Sequence, residues 1–172
     1  DSVEVTAPEG CLINCIFPYP VAGRAHTCQR IIDVVFGALA SALPSQVTAA
    51  PNGANTMAVF SGIHPETGEG YVYLETVGGG GGARAAKNGK DGVQTGITNT
   101  SNLPVEAIEQ EYPLLVEEYG LVPDSGGAGR HTGGRGIRRV VRPVGHTCIF
   151  NGVGERFLMQ PWGVFGGEAG KS

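Results

Sequence analysis

Charge is scarce in this chain. Asp, Glu, Lys and Arg make up 16% of its 172 residues, against roughly 25% in ordinary soluble domains. A surface with so few charges is left apolar or backbone-polar, as expected where part of it faces other protein. The net charge of −4 gives no overall pull on nucleic acid, and none is expected as a partner. No apolar run approaches the ~20 residues of a membrane span, and no charged-then-apolar leader opens the sequence. A cytoplasmic location with no membrane contact is the default expectation. Histidines at metal-binding spacing are missing: His26, His64, His131 and His146 are dispersed, so no metal ligand is assigned. Cysteine is sparse as well. Cys11, Cys15, Cys28 and Cys148 complete no zinc pattern and are too few for a disulfide scaffold. A Cys11–Cys15 bridge is conceivable from the C-x3-C spacing, but all four are expected to be reduced and mostly buried. A G-x-S-x-G nucleophile elbow is also absent.

Glycine is what the chain has in excess, with 29 residues where average usage is about 7%. They follow no collagen period and cluster at 78–82, 126–136 and 163–170, which points to tight turns and close backbone approaches. With 41% hydrophobic residues, the length suits one domain over 1–172 with a real core. The chain opens without methionine and stops in "GGEAGKS", so a fragment of a longer polypeptide is expected.

The periodicities predict a mixed α+β domain, β-rich, with two helices among about seven strands. Residues 3–7 alternate as a short strand closed by Pro8. Thr27 is placed as the N-cap of a helix running to about Ala42, apolar nearly all round and therefore buried, ended by Pro44. A strand follows "AAPNGANT", then a hairpin loop "HPETGEG" and the strand "YVYLETV". "VQTGITNT" offers another short strand. A second helix begins near Pro104, with Val105, Ile108, Tyr112 and Leu115 inward and a break at Pro113. The remainder reads as strands joined by glycine turns.

The pentaglycine in "ETVGGGGGARA" poses the main functional question. A Walker loop requires G-x4-G-K-[ST]; here Ala-Arg-Ala-Ala-Lys follows Gly82. A dinucleotide fingerprint requires a helix directly behind the glycines, and "KNGKDG" intervenes. A linker joins separately folded units, and the flanks are too short for that. Two readings stay open: consecutive N–H groups facing a ligand, an anion or another chain, or a purely structural bend. Likewise "TNTSN" (98–102) is either a polar ligand-facing stretch or ordinary helix capping by Ser101 or Asn102. Arg130, Arg135, Arg138, Arg139 and Arg142 are either scattered on a solvated strand or form an anion-facing or partner-facing patch.

Four stretches in this order, "VAGRAHTCQRIIDVVFGALASALP", "YLETVGGGGGARAAKNGKDGVQTGITNTSNLPVEAIE", "EYGLVPDSGGAGRHTGGRGIRRVVRP" and "QPWGVFGG", resemble the C-terminal part of the hydantoinase B / 5-oxoprolinase family. The most specific string is the D-S-G-G-A-G-R…G-G-x-G run at 124–136. The resemblance implies a C-terminal fragment of a larger B-type subunit. Such subunits belong to ATP-dependent hydrolases that open cyclic amides such as hydantoins, 5-oxoproline or lactams. It also implies ATP bound by a hydantoinase A-type, kinase-like partner subunit or domain that phosphorylates the substrate, and association with the N-terminal remainder of the same subunit. A divalent metal is implied too, with its ligands outside this chain. On this resemblance Gly79, Gly80, Gly81, Arg84, Asn99, Thr100, Asn102 and Arg130 line the passage of the activated intermediate. No catalytic residue is assigned. One departure is that relatives often carry a histidine just before T-N-T, where this chain has Gly96 and Ile97. Two other functions stay open, a subunit of an ATP-dependent ketone carboxylase and a non-catalytic interaction segment.

Overall fold

The alternating segments at 56–77 form a hairpin whose inner face carries the core. The computed structural model describes residues 4–171. Along them run α1 (Arg24–Leu39), β1 (Thr56–Ile63), β2 (Gly70–Val77), α2 (Val105–Glu111), β3 (Leu114–Leu121), β4 (Ile137–Pro143) and β5 (Cys148–Val153). The fold is α+β, as expected. β1 is the centre of an antiparallel sheet of order β2-β1-β5, and β3 and β4 form a separate antiparallel ribbon.

β1 and β2 pair in register from Thr56↔Val77 to Ile63↔Gly70. The connecting loop is pinned by His64, whose Nδ1 accepts from the Glu66 and Thr67 amides at 3.2 and 3.4 Å. Because side chains alternate across a strand, Tyr71, Tyr73 and Glu75 share one face of β2. On that face Phe60, Tyr73, Ile108 and Leu114 form the buried core beneath α2. Tyr73 lies 5.0 Å from the Tyr112 ring and Phe60 lies 4.9 Å from Phe150, measured between ring centres. The two sheets are tied by Glu75, which accepts from the Tyr73 hydroxyl, from the Leu103 amide and from Arg139 on β4. Burial is the first cause raising the Tyr73 hydroxyl far above its ordinary value, with its bond to Glu75 second.

Several sequence expectations need correction. The strands number five among the described residues. Residues 4–7 form no strand (Val3 lies outside the described residues), nor do residues 94–100, and among the described residues no strand follows Val153. α1 starts at Arg24 rather than after a Thr27 cap, because Gly23 turns the chain with φ +63. Nor is it buried nearly all round. Gln29 and Asp33 are its buried residues, while Ile31, Val34, Val35, Phe36 and Leu39 are exposed. Helical spacing located the apolar stripe but not what lies against it. Leu114, not Leu115, enters the core, because the chain leaves helix geometry after Glu111 and β3 begins at once. All four cysteines are free, and none is fully buried.

Candidate functional site

Glycine-rich segments from three parts of the chain meet around one cavity of about 370 Å³. Gly78–Gly81 form one wall, Gly126–Ala128 and Gly133–Gly134 another, and Arg156, Pro161 and Trp162 close the side. The reason for glycine is contact between backbones. A Cβ on Gly80 would fall inside the carbonyl group of Gly134, and one on Gly82 inside that of Ala49. A Cβ on Gly134 would in turn strike Lys90. These approaches are fixed by main-chain hydrogen bonds, Gly81 N–H to Lys90 O and Gly134 N–H to Gly81 O, both 2.8 Å. Asn52 N–H donates to Gly80 O at 2.9 Å.

Most of the pentaglycine's donors are therefore committed inside the chain. Gly78 N–H donates to Asn102 Oδ1 at 2.9 Å and Gly79 N–H to Val93 O at 3.0 Å, with Gly81 as above. Gly80 and Gly82 N–H make no such bond among the described residues. What the loop offers the cavity is bare backbone surface and shape.

The cavity side carries a charge cluster in which Asp33 and Arg156 are buried and Arg30 and Glu155 half-buried. Asp33 Oδ2 lies 2.7 Å from Arg156 Nη2 and 2.8 Å from Arg30 Nη2, and Arg30 Nε lies 2.8 Å from Glu155 Oε2. The Arg30 contacts are close but not aligned as hydrogen bonds, so they are ion pairs by distance alone. The Arg156 guanidinium sits over the Trp162 ring, 4.7 Å from its centre, a cation–π geometry. Gly53, at φ +62, leaves the space: a Cβ there would lie 2.6 Å from Asp33 Oδ2 and 2.8 Å from Arg156 Nη2. Burial raises the Asp33 carboxyl above its ordinary value, against the pull of Arg30 and Arg156. Burial also lowers the Arg156 guanidinium, with repulsion from Arg30 adding to it.

Of the eight residues singled out from the sequence, Gly79, Gly80 and Gly81 line this cavity. Asn102 stands behind it, bridging Gly78 and the Tyr119 hydroxyl, to which its Nδ2 donates at 2.9 Å. Arg84, Asn99, Thr100 and Arg130 are exposed and not part of its wall. The arginine run divides into local pairs: Arg135 with Asp91, Arg138 with Glu118, Arg139 with Glu75 and Arg142 with Glu117. Sequence reasoning missed Asp33, Arg156 and Trp162. Asp33 and Trp162 fall in stretches that carry the family resemblance, but nothing local announces the Asp33–Arg156 pair, whose members are 123 positions apart. Among the described residues no three His, Cys, Asp or Glu side chains gather into a set that could hold a metal ion. Among the described residues no helix is long and apolar enough to cross a membrane.

Comparison with known proteins sets this geometry in context. The family model for hydantoinase B/oxoprolinase matches residues 1–172. The chain belongs to the hydantoinase B/oxoprolinase family. Among its relatives, an uncharacterized protein of Methanocaldococcus jannaschii is 43% identical over 98% of this chain and 29% of its own length. 5-Oxoprolinase 1 of Arabidopsis thaliana is 34% identical over 98% of this chain and 12% of its own length. The caprolactamase subunit beta of Pseudomonas jessenii is 31% identical over 94% of this chain and 29% of its own length. The chain thus spans between 12% and 29% of the length of these relatives.

Proposed function

We propose that this chain is the C-terminal part of the B component of an ATP-dependent hydrolase that opens a cyclic amide. The observation that carries the reading is the family match over the whole chain combined with a glycine-walled cavity that includes Gly79–Gly81. The relatives' names support the same class: one is a 5-oxoprolinase and one a caprolactamase subunit, both names of cyclic-amide chemistry. The word "subunit" in the second supports a multi-component enzyme, here with a kinase-like A-type partner.

An unstrained amide is a poor electrophile, and ATP bound by the partner would supply the activation by phosphorylating the amide oxygen. This chain's own contribution is positioning. Bare glycine backbone lets a small ring approach the main chain closely, as any Cβ on that wall would prevent. Arg156 gives the cavity a buried positive group. Asn102, by holding Gly78, fixes where the glycine wall begins. Arg84, Asn99, Thr100 and Arg130, on the outer surface, belong to the approach route or to the contact with the partner. A divalent metal would be held by residues elsewhere in the complex.

The test is turnover by the full-length polypeptide with its co-purifying partner, on a panel of hydantoins, 5-oxoproline and lactams, with and without ATP. Ring opening that depends on ATP is the expected result. ATP-dependent carboxylation of a ketone in the presence of bicarbonate, without ring opening, would replace this reading with the carboxylase one.

A further inference from the structure

The charge cluster beside the cavity is unevenly matched. Arg30 reaches two carboxylates, Asp33 and Glu155, each at 2.8 Å. Arg156 reaches Asp33 Oδ2, the same oxygen that Arg30 uses. Its Nε has no hydrogen-bond partner among the described residues, although the side chain is 5% exposed. A guanidinium carries five N–H donors, and withdrawing it from water is costly unless those donors are met. A share of one carboxylate oxygen does not meet them. Arg156 is one of the residues that line the cavity.

Two further observations show that the side chain is held in place. The Trp162 ring lies against its guanidinium. The backbone at Arg156 has φ +69, a left-handed conformation rare for a long side chain and kept only where the surroundings enforce it. Such enforced residues cluster at ligand-binding positions. The other charges on the wall do not oppose an anion strongly. Glu155 is taken up by Arg30, Glu168 is solvent-exposed, and Lys171 adds a positive group. A volume of about 370 Å³ falls within the ~300–1,000 Å³ of small-molecule sites.

We propose that Arg156, braced by Trp162 and Asp33, is the oxyanion clamp of the glycine-walled cavity and selects small rings bearing a carboxylate or phosphate over neutral ones. This rests on the cavity being the cyclic-amide site, and it names the class of ring that fits.

The experiment is calorimetric titration of the full-length polypeptide in its complex with two rings of one size, 5-oxoproline, which bears a carboxylate, and neutral 2-pyrrolidinone. Acetate and inorganic phosphate serve as separate anion probes and distinguish the two oxyanion sources. Wild type is expected to prefer the carboxylate ring by about tenfold or more, the scale of one charge-assisted hydrogen bond. Arg156→Gln is expected to bring the two rings to near parity, and Trp162→Leu to reduce the preference while leaving the Asp33 pair in place. Equal affinity in wild type, or a preference that survives in Arg156→Gln, overturns the clamp. Neither ring binding while acetate or phosphate binds and is lost in Arg156→Gln keeps the clamp and overturns the cyclic-amide reading. No binding of any probe overturns both. If circular dichroism shows that Arg156→Gln does not fold, the wild-type comparison and Trp162→Leu decide.

Discussion

Arg139 on β4 lies 4.1 Å from the centre of the Tyr119 ring and pairs with Glu75 on β2, so a single guanidinium joins the two sheets. The pair is 6% and 7% exposed, and Glu75 also holds the Leu103 amide at the approach to α2. Glu75→Gln keeps the shape but leaves Arg139 without its counter-charge. A loss of about 3–5 kcal/mol is expected, as for other broken buried pairs, read by chemical denaturation of the full-length protein. A loss under about 1 kcal/mol, the range of exposed pairs, would show that water reaches Arg139.

The glycine wall makes a position-specific forecast. Gly80→Ala places a methyl group inside the Gly134 carbonyl, and neither backbone can yield without breaking the bonds through Gly81. Overpacking of this kind costs about 1–3 kcal/mol, and substrate binding should weaken with it. Gly120→Ala on β3 is the control, since its added Cβ meets nothing within 4 Å. It should be neutral or stabilising by about 0.4–1 kcal/mol. Equal effects of the two would remove close packing as the reason for the glycines.

Asn102 separates two roles that one side chain performs. Asn102→Asp retains an acceptor for Gly78 N–H and loses the donor to the Tyr119 hydroxyl. Asn102→Ala loses both and leaves a buried amide unmet, at about 1–3 kcal/mol. The alanine variant should therefore raise KM and lower the melting temperature more than the aspartate variant. The reverse order would place the weight on Tyr119.

Asp91 offers a pH test. Its carboxylate accepts from the Arg135 side chain and backbone at 2.6–2.9 Å, and the side-chain bonds hold it below the ordinary value of 3.8. A depressed folded value means that the contribution is present above the unfolded value and is lost as pH falls through the folded one. The Asp91 titration midpoint, followed by nuclear magnetic resonance, should lie below 3.8 and move upward in Arg135→Ala. No change in that variant would dissolve the pairing.

The fold was most legible where contacts are local. Alternation along 71–77 and the turn chemistry of "HPETGEG" announced the hairpin, and Pro104 with the Val105 and Ile108 spacing announced α2. The same rules failed on α1. Spacing marks an apolar stripe, but burial depends on what the tertiary structure presents, and Gln29 and Asp33 are covered instead. The glycine wall was half legible. Five glycines in a row signalled close approach, yet the surface approached, Gly134 and Ala49, is distant in sequence. Trp162 lies in the "QPWGVFGG" stretch, but nothing in the sequence announces its contact with Arg156 or the Arg156–Asp33 pair, which exist only after the chain has closed on itself.

The wet apolar side of α1 has a practical outcome. Ile31, Val34 and Val35 face water on α1, and Leu12, Phe17 and Leu158 are exposed elsewhere in the chain, a distribution that favours association in dilute buffer. Preparations of these 172 residues alone should drift toward higher apparent mass as concentration rises, and mild detergent should reverse the drift.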